Sequence, residues 1–156
     1  MQKIDMEIKL NKFGKKFFRR HVGCSIVYAE KLDGTTCPSP NCERPDIFAY
    51  RPYSCLSWVG EIKTSRADCK NEYKKKHFIS GDSMGDFRYM LSFDGVLKEE
   101  DIPEEYGWVE FSDDGKYTIK KKPVYRTITA VGLKSERTLF ATKIRVAEIE
   151  LKKRKK

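Results

Sequence analysis

Asp46, Glu61 and Lys63 are the residues whose types and spacing point most directly to chemistry. Two stretches read as β-strands, Asp46 to Arg51 (DIFAYR) and Leu56 to Ser65 (LSWVGEIKTS), and between them Pro52-Tyr53-Ser54-Cys55 suits a tight turn. A hairpin centred between Tyr53 and Ser54 sets residues equidistant from that point opposite one another. Asp46 and Glu61 are such a pair, which would bring their Cβ atoms to about 4.5–5.5 Å. Glu61 and Lys63 are two residues apart, so they project from one face of their strand. Two adjacent carboxylates repel each other and favour a cation between them. Mg²⁺ or Mn²⁺ fits, because a hard ion takes a few carboxylate oxygens and keeps waters that substrate phosphate can replace. Such an ion polarises a phosphoryl oxygen and acidifies a bound water. The Ile62 carbonyl is a candidate further ligand. Lys63 would position the water or neutralise charge on the phosphate oxygens. The chemistry implied is phosphodiester hydrolysis.

The elements that must position these side chains are legible around them. Met6, Leu10, Phe13 and Phe17 recur at helical spacing, predicting an amphipathic helix near 3–19. Ser25 to Glu30 reads as a strand, and 31–45 (KLDGTTCPSPNCERP) as a loop. Arg66 to Ile79 predicts a charged helix capped by Ser65 or Thr64. Asp86 to Phe93 predicts a strand, with a hairpin following from Trp108 to Lys120 around Asp113-Asp114-Gly115. Ser135 to Leu151 predicts a last helix, although IRVAEIEL also alternates like a strand. The expected fold is an α/β or α+β single domain, 1–151, with a central mixed sheet flanked by helices. Residues 152–156 (KKRKK) form a basic tail.

Composition narrows the partners. The 156 residues carry 32 Lys+Arg against 23 Asp+Glu, a net charge of +9. That surplus favours a polyanion, because phosphate binding releases condensed counterions. No stretch is apolar and long enough to span a membrane, and the N-terminus lacks the apolar core of a signal peptide, so a cytoplasmic protein is expected. Oligomeric state stays open, a homodimer among the options.

Arg44-Pro45-Asp46 followed by GEIKTSRAD at 60–68 resembles the PD-(D/E)XK nuclease superfamily, and more narrowly its MmcB-type, DNA-repair-associated branch. Ser65, Arg66, Asp68, Glu72 and Lys74 match the stretch after the E-x-K strand there, and Pro103-Glu104-Glu105-Tyr106-Gly107 is similar to a later P-E-x-x-G. The resemblance covers roughly 24–125 and implies a restriction-endonuclease-like fold. It also implies a Mg²⁺- or Mn²⁺-dependent nuclease in which Asp46 and Glu61 hold metal and Lys63 is catalytic. An upstream acid on the first helix is often part of such sites; Glu7 is the candidate and Glu30 its rival. Ser65, Arg66, Lys70 and Lys74 would support the site or grip DNA phosphates. Lys75 departs from the pattern, which has an aromatic near it.

Five cysteines in a chain without an export signal argue against a disulfide framework. Cys37 and Cys42 share the loop, and Cys24 and Cys55 flank them at equal distances. The four could hold structural Zn²⁺ or an iron–sulfur cluster, or be small buried hydrophobes. His77 and His21 read as exposed helix residues. Two rivals follow: a DNA-binding accessory protein of the same fold without catalysis, and a zinc-stabilised interaction protein.

Overall fold

The computed structural model describes residues 1–37, 39–40 and 42–155. Six strands form one sheet in chain order: β1 (Ile26–Ala29), β2 (Ile47–Arg51), β3 (Leu56–Ile62), β4 (Phe87–Phe93), β5 (Gly107–Phe111) and β6 (Tyr117–Lys121). The first three make an antiparallel meander. β4 pairs parallel with β3 and β5 parallel with β4, while β6 closes as an antiparallel edge. A parallel neighbour needs a crossover. Between β3 and β4 this is two short helices, α3 (Arg66–Glu72) and α4 (Lys76–Ser80). The molecule is a single α+β domain with helices on both faces of a mixed sheet.

One face is covered by α1 (Lys3–Phe17), whose apolar stripe buries Leu10 and Phe17 against Val27, Ile47, Ala49, Leu91 and Phe111. Gly14 lets the helix lie close. A Cβ there would sit 2.5 Å from the Ile47 Cδ1 and 2.8 Å from the Leu91 Cδ1. The helix runs on through one wider turn, Phe18–Val22, and stops at Gly23, whose φ of 80° is the left-handed conformation that terminates helices.

The opposite face carries α3, α4 and the first half of α5 (Ala130–Arg154). Leu139 of α5 buries against Phe48, Val59 and Met84, and Phe140 packs edge-on to Phe48 and Tyr50. Glu136 anchors the same helix, accepting hydrogen bonds from the Ser57 hydroxyl at 2.6 Å and the Gly85 amide at 2.9 Å. Cys69 of α3 joins Met90, Trp108 and Tyr106 in a second cluster. A short turn, α2 (Glu30–Asp33), follows β1.

Three expectations change. The helix over 66–79 is interrupted: Lys75 adopts extended backbone (φ −67°, ψ 139°) between α3 and α4. The last helix begins at Ala130, capped by the Thr129 hydroxyl, and the IRVAEIEL stretch is helical. The basic tail is not separate, because α5 continues through Lys152, Lys153 and Arg154. Among the described residues, no helix is long and apolar enough to cross a membrane.

Candidate active site

The β2–β3 hairpin has the register expected from its turn. Pairs run from Arg51–Leu56 to Ile47–Gly60, so the next position outward sets Asp46 against Glu61. The Ile62 amide donates to the Asp46 Oδ2 at 2.8 Å, fixing that carboxylate at the mouth of β3. The Glu30 amide donates to the Asp46 carbonyl at 2.8 Å and ties in the end of β1. One residue beyond β3, the Lys63 amide still donates to the Leu91 carbonyl at 2.9 Å. Lys63 is therefore held in strand geometry and projects with Glu61 to the α3 side of the sheet.

Both side chains are buried, Glu61 to 1% exposure and Lys63 to 5%. They belong to a network larger than the triad. The Lys63 Nζ lies 2.8 Å from the Glu72 Oε2 and 3.7 Å from the Glu61 Oε2. The Lys75 Nζ bridges the same two carboxylates, at 2.7 Å from Glu72 and 3.2 Å from Glu61. Arg88, fully buried on β4, sets its Nη2 3.1 Å from the Glu61 Oε1 and 2.6 Å from the Glu43 Oε1. The His77 Nε2 lies 3.3 Å from Glu43 and 3.5 Å from Glu72. The Arg88 guanidinium also sits over the Tyr106 ring, 5.2 Å from its centroid.

Four carboxylates, Glu43, Asp46, Glu61 and Glu72, thus face three permanent cations, Lys63, Lys75 and Arg88. The shortage of positive charge falls on Asp46. Its burial, and then the nearby Glu61 charge, push its pKa up from 3.8 to about 7. Glu72 moves the other way. Burial would raise it, but His77, Lys63 and Lys75 together hold it well below the carboxylate range. Burial works against the charge of Lys75, yet Glu61 and Glu72 hold its pKa above the ordinary lysine value.

The other expected residues divide. Glu7 and Glu30 both line a small cavity of about 130 Å³ with Asn11, Lys31, Asp46 and Ile62. Glu7 pairs with Lys31 at 3.4 Å and Glu30 with Arg44 at 3.3 Å. The Ser65 hydroxyl caps α3 at the Asp68 amide, and Arg66 binds Asp101 at 2.7 Å and Glu100 at 2.7 Å, so both serve the fold. Lys70 and Lys74 are exposed beside the site. The four cysteines are dispersed: Cys24 lies in the core under α1, Cys37 and Cys42 interact in the loop, and Cys55 is exposed in the hairpin turn. Among the described residues, no group of three or more His, Cys, Asp or Glu is arranged to enclose a metal.

Sequence reading missed Glu43, Arg88, the inward turn of Lys75 and the partial burial of His77. Arg88 falls inside a strand with parallel neighbours on both sides, a pairing that no local pattern announces, and its buried guanidinium requires partners. Comparison with known proteins finds no matching family, curated protein or solved structure.

A hard divalent ion would find two carboxylates there, Asp46 and Glu61, with its remaining positions left to water. Lys75, with a side chain 37% exposed, is the cation with an outlet to solvent. It can yield its place on Glu61, whereas Arg88 is enclosed.

Proposed function

We propose that this protein is a PD-(D/E)XK-type deoxyribonuclease that uses Mg²⁺ or Mn²⁺. One observation carries the reading: Asp46 stands opposite Glu61 one position beyond the β2–β3 pairing and feels its charge, and Lys63 shares the sheet face of Glu61, inside a cluster short of positive charge. The metal would be held by Asp46 and Glu61, with the Ile62 carbonyl a candidate further ligand. It would supply Lewis acidity toward the phosphate and a more acidic bound water. Asp46 would be ionised when the ion is present, because the added charge offsets the Glu61 repulsion. Lys63 would bring its ammonium to the phosphate oxygens as charge builds there. Lys70, Lys74 and Lys76, exposed on the helices beside the site, would hold the DNA backbone without reading bases. The surplus of cations in the chain supports a polyanionic substrate.

A nicking assay on plasmid DNA with Mg²⁺ or Mn²⁺ tests this. Lys63→Ala and Asp46→Ala should each reduce the rate by about 10²-fold or more, the scale of losing a charge-stabilising donor. Cleavage that survives both changes rejects the assignment. One observation favours a second reading: both oxygens of Glu61 are already engaged by protein cations. On that reading the protein binds DNA without cutting it. Salt-sensitive binding with no cleavage under any divalent metal would be the result.

A further inference from the structure

Glu72 is the most enclosed acid of the network, and neither the Asp46–Glu61–Lys63 constellation nor a demand of the fold accounts for it. It is the last residue of α3 and has no solvent exposure. Burying a carboxylate is costly unless charge partners and hydrogen bonds compensate. An apolar side chain there could simply have extended the nearby cluster of Cys69, Met90 and Tyr106. Its geometry shows what the carboxylate does instead. The Lys63 Nζ is 2.8 Å from the Glu72 Oε2 but 3.7 Å from the Glu61 Oε2. Lys63 therefore hydrogen-bonds to Glu72, which holds the Lys75 Nζ at 2.7 Å on the same oxygen, and Glu61 is the more distant carboxylate.

The link between the two residues is short and anchored at its start. α3 begins at the Ser65 cap, two residues after Lys63, and Arg66 pins its first turn to Asp101. Two helical turns then return the chain over the end of β3 and deliver Glu72 above the lysine. A free lysine samples many rotamers, and restricting it costs free energy. An ammonium that must meet a phosphate oxygen at hydrogen-bond distance gains from being restricted beforehand.

We propose that Glu72 is a positioning residue: its carboxylate fixes the Lys63 ammonium beside the Asp46–Glu61 pair, ready for the substrate phosphate. The role rests on the nuclease reading above, and Glu72 touches neither substrate nor metal. The test is a double-mutant cycle in the full chain, reading Mn²⁺-dependent plasmid cleavage by wild type, Glu72→Gln, Lys63→Ala and the double variant. Glu72→Gln keeps the size of the side chain. It should lower kcat by about 10–100-fold, the range for residues that orient a catalytic group, with KM for DNA little changed. The double variant should be no slower than Lys63→Ala alone, because Glu72 acts through Lys63.

A second measurement is independent of cleavage. The ¹⁵Nζ NMR signal of the buried Lys63 ammonium, assigned by its loss in Lys63→Ala, should be visible in wild type. It should broaden or vanish in Glu72→Gln. Wild-type kcat in Glu72→Gln, a double variant slower than Lys63→Ala, or an ammonium signal unchanged by Glu72→Gln would each overturn the inference. A wild-type chain that cuts no DNA would overturn the function proposed above, and the ammonium signal would still decide whether Glu72 holds Lys63.

Discussion

Replacing Asp46 with asparagine should stabilise the protein at pH 8 while abolishing the cleavage proposed for it. The carboxylate pays for its place beside Glu61: its pKa stands at about 7 in the folded chain against 3.8 ordinarily, chiefly from burial and then from the Glu61 charge. Each pKa unit corresponds to about 1.4 kcal/mol, so three units set an upper bound of about 4 kcal/mol. Asp46 is only half-buried, so solvent screens part of that cost. About 2 kcal/mol is the expected gain, or roughly 4–8 °C in Tm for a domain of this size. Asparagine keeps an oxygen to accept from the Ile62 amide. The dependence on pH identifies the cause. A carboxyl whose pKa is raised by folding adds no cost below pH 4, where both states are protonated. The cost grows from pH 4 to 7 and is complete above 7. Thermal unfolding followed by circular dichroism, with chelator present, should show the advantage of Asp46→Asn at pH 8 fading toward pH 4. A variant less stable than wild type at pH 8, or one with the same advantage at both ends, would refute the reasoning.

Three further outcomes follow from the same geometry. Saturating Mn²⁺ should raise the wild-type Tm, by about 2.7 kcal/mol of stabilisation at a hundred times Kd, and should leave Asp46→Asn unmoved; scanning calorimetry with and without the ion reads this. Arg88→Met removes the enclosed cation shared by Glu43 and Glu61 and should cost about 3–5 kcal/mol in urea unfolding; a loss below 1 kcal/mol would show that those acids find other partners. Gly14→Ala drives a methyl into Ile47 and Leu91 and should cost about 1–3 kcal/mol by the same measurement; a neutral result would mean that α1 can lift from the sheet.

Much of this architecture can be read from short-range pattern. The stripe of Leu10, Phe13 and Phe17 specifies the buried side of α1 because helical periodicity is local. The Asp46–Glu61 juxtaposition is readable for a similar reason: a tight turn determines which residues face each other along the whole hairpin. The Ser65 cap lies within one turn of the helix that it starts. Helix ends were less legible. The break at Lys75 carries no glycine or proline signal, and it turns that lysine inward to two acids, Glu61 and Glu72.

What only the tertiary structure decided is the charge frame behind the triad. Glu43 comes from the loop before β2, Glu72 from the end of α3 and Arg88 from β4, and they converge because β4 pairs parallel with β3 through the α3–α4 crossover. The sequence alone set Asp46 opposite Glu61 across a hairpin and Lys63 on the strand face of Glu61, since a turn and a two-residue alternation dictate it. Which cations those acids hold depended on contacts spanning up to 45 residues, from Glu43 to Arg88. Local propensity carries no information over that distance. Burial makes those contacts obligatory, because an enclosed charge must find its opposite wherever along the chain that opposite lies.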